Sequence, residues 1–89
     1  MAEYIGQVPE EVDALAGEFE AKASELEDLK SSITSKLGGT TWTGADRDRF
    51  EADWEGALSQ TVSQMVQQLR GAGQAAAANA QEQRDASNS

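Results

Sequence analysis

The sequence predicts an all-α protein, an antiparallel helix-turn-helix hairpin that dimerises into a four-helix bundle. Three observations predict it. Apolar residues recur every seven positions at Val12, Phe19, Leu26 and Ile33. A second stripe, Phe50, Trp54, Leu58, Val62, Met65 and Leu69, advances in steps of three or four, close to the natural helical period. Between them, residues 38–44 read Gly-Gly-Thr-Thr-Trp-Thr-Gly and fit neither a helix nor a strand. The 89 residues are accordingly read as a single domain. Helix 1 is expected over about 9–37, the turn over 38–44, helix 2 over about 45–70, and a flexible or partly helical tail over 71–89.

Helix 1 opens at Pro9, the one proline of the chain, followed by Glu10 and Glu11. Proline suits the first helical turn, and acids there complement the positive end of the helix dipole. Ile5 extends the seven-residue ladder backwards, and a second ladder holds Val8, Leu15 and Leu29, with Lys22 and Lys36 in its gaps. At 100° per residue these positions fall within one stripe about 120° wide, the signature of an amphipathic helix with a coiled-coil-like seam. Gly38-Gly39 is expected to end it near Leu37.

In the turn, Thr43 followed three residues later by Asp46 resembles a capping box, with Asp in place of Glu. Helix 2 then carries its stripe to Leu69, and Val66 is the one poor fit to that stripe. Gly71 and Gly73 interrupt, Ala75–Ala78 could carry helix onward, and from Gln81 the sequence is polar without apolar period. A short turn forces the helices antiparallel. Each stripe is wider than one helix-helix contact line, so a partner hairpin is expected to bury the remainder.

Composition narrows the function. There is no Cys and no His, which removes disulfides, thiolate metal sites, and the commonest metal ligand and general base. A formal charge of −9 leaves no basic stripe for phosphate backbones, so nucleic acid is not expected as a partner. Of the apolar residues, 15 are Ala, which bury little, so the core must be thin and long. So short a chain without disulfides or metal commonly gains stability by oligomerising. The densest acidic cluster, Asp46, Asp48, Glu51, Asp53 and Glu55, is interleaved with Arg47 and Arg49 on a predicted helix and reads as a solvated face. No nucleophile stands in a recognisable arrangement with a base. No enzyme, cofactor, metal site or small-molecule substrate is expected. No apolar run approaches the ~20 residues of a membrane helix. The first residues, Met1 to Val8, carry no positive charge and no apolar core of signal-peptide length.

Trp42-Thr43-Gly44 stands in the turn between two amphipathic helices, near the middle of a chain of about a hundred residues, with Phe50 and Trp54 following on the next helix. This layout resembles the WXG100 family, the relatives of the early secreted antigenic target of mycobacteria. The resemblance implies leaderless secretion through a type VII secretion system, with the protein cytoplasmic before export. It implies small hairpins that dimerise, either with a paired WXG100-family protein or with themselves, and that engage the secretion ATPase. It also implies a bipartite export signal: the Trp-X-Gly turn, and Tyr-x-x-x-Asp/Glu after the second helix of the partner. In this sequence the one tyrosine is Tyr4, with Val8 four residues on, and residues 71–89 hold no aromatic. By resemblance the chain is the signal-less member of a pair, supplying Trp42, Thr43 and Gly44.

The dimer and core seam is read as Val12, Leu15, Phe19, Leu26, Leu29, Ile33, Phe50, Trp54, Leu58, Met65 and Leu69. Lys22 and Lys36 occupy seam positions, where their stems either lie along apolar surface, the preferred reading, or meet carboxylates of a partner and favour the correct pairing. Gly44 is read either as a position where a side chain would clash with the returning helix or a docking segment, or as an ordinary turn glycine. The alternative function is an intracellular helical adaptor or chaperone holding an amphipathic helix of a partner in its groove.

Overall fold

The computed structural model describes residues 8–88; Tyr4 and Ile5 lie outside them. It comprises α1 (Pro9–Gly39), α2 (Ala45–Asp53), a π-helical turn (Trp54–Leu58) and α3 (Ser59–Asn88), with no strand among the described residues. The last three form one arm that runs back along α1, so the fold is an extended two-armed helical hairpin measuring 66 × 18 × 15 Å.

α1 starts as its sequence requires. Val8 is extended, and its carbonyl accepts from the amides of Glu11 and Val12 at 3.0 and 3.1 Å. The helix runs two residues past Leu37, because Gly38 and Gly39 do not leave the right-handed helical path. Thr40 ends it instead: its amide reaches the Leu37 carbonyl at 3.3 Å, and its hydroxyl donates to the Lys36 carbonyl at 2.5 Å. The expected Thr43–Asp46 capping box does not form. α2 begins one residue later than that box requires, with Gly44 as the capping residue and no side-chain cap. Gly44 has φ +119° and ψ −178°, a region open essentially to glycine alone. A Cβ there would meet nothing within 4 Å, so the glycine is required by backbone conformation and not by a clash with a returning helix.

The π turn changes the face that the second arm presents. Gly56 departs from helical geometry (φ −89°, ψ −109°), and the turn takes one residue more than an α-helical turn. An uninterrupted helix would put Leu58 beneath Trp54. Here Ser59 is buried with Trp54 and Leu58 is exposed. From Ser59 the buried positions recur every seven residues: Ser59, Val66, Gly73 and Ala80. On α1 the buried positions are Ala23 and Leu37. Val66, the misfit of the sequence stripe, is therefore interior, only 5% exposed.

This seam is narrow. A Cβ on Gly73 would stand 3.1 Å from the Ala16 carbonyl oxygen and 3.2 Å from the Phe19 Cβ, so the backbones approach closely there. Such packing also explains why α3 does not stop near residue 70. It continues to Asn88 through Gly71 and Gly73, with Ala80 fully buried and Arg84 ion-paired to Asp13. Docking along α1 supplies what the polar tail sequence lacks, since helices in proteins are held mainly by tertiary packing.

Candidate functional site

Two features project outward from this frame: one long face and the tip of the hairpin. Their positions follow from helical phase. On α1, residues 15, 22, 29, 33 and 36 share a side about 80° away from the seam, and on α3 residues 58 and 65 share the equivalent side. Because the arms are antiparallel, both sides look the same way.

That face carries the large apolar side chains. Leu15, Leu29, Ile33, Leu58 and Met65 are exposed, at 37–51% of their surface, and Phe50, near the tip, is exposed at 44%. Of the expected seam residues, Val12, Phe19, Leu26 and Leu69 are half-buried, and Trp54 alone is buried. The hairpin thus divides the sequence stripe between its own interior and an open surface. Lys22 lies on this open face, paired with Glu25 at 3.3 Å one turn on.

The opposite side of the seam is polar. Trp54 Nε1 donates to the Thr34 hydroxyl at 2.9 Å, and Lys30 Nζ donates to the Ser63 hydroxyl at 2.8 Å. Arg70 bridges to Glu20 at 3.0 Å and to Glu27 at 2.8 Å. Hydrogen bonding from Arg70 holds the Glu27 carboxyl below its ordinary range, and both carboxylates raise the Arg70 guanidinium. As the α1 partner falls from residue 34 to residue 13, the second-arm partner rises from 54 to 84, which fixes the antiparallel register. The cleft on this side is lined by Glu27, Lys30, Thr34, Ser63, Gln67 and Arg70.

The tip holds Trp42, Thr43 and Gly44. Thr43 is exposed, and the Trp42 ring is 38% exposed. Its centroid lies 5.8 Å from that of Phe50, with the planes tilted by 52°. The spacing is one that aromatic pairs favour. The Trp42 carbonyl accepts from Arg47 Nη1 at 3.0 Å, while Arg47 Nη2 pairs with Glu51 at 3.0 Å. In the sequence Arg47 stands out only as a cation interleaved with the acidic cluster. Nothing in its spacing announced a contact back into the turn. The acidic cluster itself forms local pairs, Arg47–Glu51 and Arg49–Asp46, and no group of acidic residues suited to a metal ion occurs among the described residues. No described helix is long and apolar enough to cross a membrane.

Comparison with known proteins places this architecture. No curated protein and no solved structure matches the chain. A family described as proteins of 100 residues with WXG matches over residues 6–87, both arms and the turn between them. With Trp42 and Gly44 at the tip of a helical hairpin and a match that spans nearly its whole length, the chain belongs to the WXG100 family.

Proposed function

We propose that this protein is exported as a dimer by a type VII secretion system and acts by protein–protein binding. In this reading Trp42, Thr43 and Gly44 form one half of the export signal, and a paired WXG100 chain supplies the tyrosine-bearing half. The protein is cytoplasmic before export. One observation carries the reading: Trp42 stands at the tip, partly exposed, outside the seam that holds the arms together. A tryptophan whose only task was to fill the core would sit where Trp54 does, at 7% exposure.

The open apolar face supports the dimer. Five large apolar side chains on one side of an 89-residue chain make a surface of the kind that marks protein interfaces. That face would also serve an intracellular adaptor that holds a partner's amphipathic helix, which is the second reading. Trp42→Ala separates them. The expected variant is folded and dimeric by circular dichroism and sedimentation, yet retained in the cell, whereas Trp54→Ala damages the fold itself. Normal secretion of a folded Trp42→Ala dimer would remove the signal role, and a wild-type protein retained in the presence of an intact secretion system would favour the adaptor.

A further inference from the structure

Arg47 occupies an expensive position. It is the third residue of α2 after the capping Gly44, where the helix dipole disfavours a cation. Its side chain is mostly buried, and its Nε is buried without a hydrogen-bond partner. Unpaired buried donors cost stability. Both costs are offset by what the rest of the guanidinium does. One Nη reaches back five residues to the Trp42 carbonyl at 3.0 Å, and the other reaches forward one turn to Glu51 at 3.0 Å. Phe50, on the same turn of α2, packs its ring against the Trp42 ring.

We propose that Arg47 is a positioning residue for the Trp-Thr-Gly turn, a clamp that fixes the Trp42 main chain to the first turn of α2 while Phe50 fixes the ring. Its functional half rests on the export reading above. The clamp explains how a partly exposed tryptophan in a five-residue connection keeps one orientation. Main-chain and side-chain anchors both come from the second arm, so the tip moves as one piece with α2. Glu51 aims the guanidinium by holding its far side. Lysine could not replace it, because an ammonium is a point charge and not a planar fork able to serve two acceptors in fixed directions.

The test reads Trp42 directly. In a Trp54→Phe background, Trp42 is the sole tryptophan and its fluorescence reports the tip alone. Arg47→Met keeps the apolar stem and removes the fork. The expected result is a red-shifted Trp42 emission and easier acrylamide quenching, with helical content and melting close to those of the parent. The ratio of held to released turn should fall on the order of tenfold, as for loss of one charge-assisted hydrogen bond. Export should fall several-fold in the same variant, and Arg47→Lys should restore only part of either signal. Glu51→Gln, which frees the far side of the fork, should loosen Trp42 by a smaller amount. Trp42 emission and quenching unchanged in Arg47→Met would overturn the clamp, whatever export does. A loosened Trp42 with undiminished export, when Trp42→Ala is retained, would overturn the positioning role. Normal export of Trp42→Ala would instead sink the export reading, and the fluorescence would still decide the clamp.

Discussion

The two long faces of the hairpin are built from opposite materials. On one side of the seam the arms are tied by hydroxyls, carboxylates and guanidinium groups: Trp54 to Thr34, Lys30 to Ser63, Arg70 to Glu20 and Glu27. On the other side Leu15, Leu29, Ile33, Leu58 and Met65 stand open. Between the faces runs a seam of mostly small residues, Ala23, Ser59, Gly73 and Ala80, with Val66, Leu37 and Trp54 as its larger members. The chain thus keeps little of its large apolar surface for itself. Small residues let the arms approach, polar links fix their register, and the bulky side chains remain available to another surface.

The largest expected effect lies in the shared seam. Trp54→Ala removes its one buried aromatic together with the hydrogen bond to Thr34, and should cost about 3–5 kcal/mol. For a domain of this size that lowers the melting temperature by more than about 10 °C, measured by circular dichroism. Next comes the open face. Leu29→Asp combined with Leu58→Asp should leave the helical signal intact and shift sedimentation equilibrium from dimer to monomer. Interface anchors of this kind are worth about 2 kcal/mol or more each, so each change should raise the dissociation constant at least about thirtyfold and the pair together on the order of a thousandfold. The matched change on the polar face, Ser63→Ala, should leave the association unaltered. Equal sensitivity of association to both faces would erase the distinction drawn between them.

Gly73→Val probes the closeness of the arms. Its Cβ would press on the Ala16 carbonyl and on Phe19, and pushing a packed backbone apart costs about 1–3 kcal/mol. Gly17, whose added Cβ would meet nothing, is the control: Gly17→Ala should be neutral or mildly stabilising in urea unfolding. The smallest effect belongs to the exposed ion pairs. Glu27 is held below its ordinary value of 4.5 by Arg70. Its contribution is therefore present above that value and is lost as pH falls through the lowered one. Arg70 is raised and stays charged throughout, so the carboxylate alone sets the window. Melting followed from pH 7 to pH 3 should show a slightly shallower loss in Glu27→Gln than in the parent, and added salt should narrow the gap.

The two helices, the turn and the hairpin were legible in the sequence because large apolar residues recur at helical spacing, and because Gly-Gly and the Thr-rich stretch break that spacing. The interior seam was not. Ser59, Gly73 and Ala80 carry no apolar signal, and their seven-residue spacing becomes visible only once Val66 is counted with them. The π turn hid that pattern further, since one additional residue at Gly56 rotates everything beyond it relative to Phe50 and Trp54. α3 ran past its expected end because packing on α1, and not local composition, decides it. At the tip, Trp42 and Gly44 were visible as a motif. The reason for Gly44 lay in a dihedral angle, and the grip of Arg47 lay in a side chain reaching backwards, neither of which a spacing rule reports.

The slenderness of the hairpin has a hydrodynamic consequence. Its radius of gyration is 19.8 Å, whereas a compact chain of this length would have one near 12 Å. A globular protein with the same radius would hold roughly 320 residues. Friction follows shape as well as mass, though less steeply than the radius of gyration, so a single hairpin diffuses like a heavier sphere and elutes from a gel-filtration column ahead of its true weight. For a rod of these proportions an early elution volume does not separate an elongated monomer from a dimer, and stoichiometry belongs to light scattering or sedimentation equilibrium, where mass enters independently of drag.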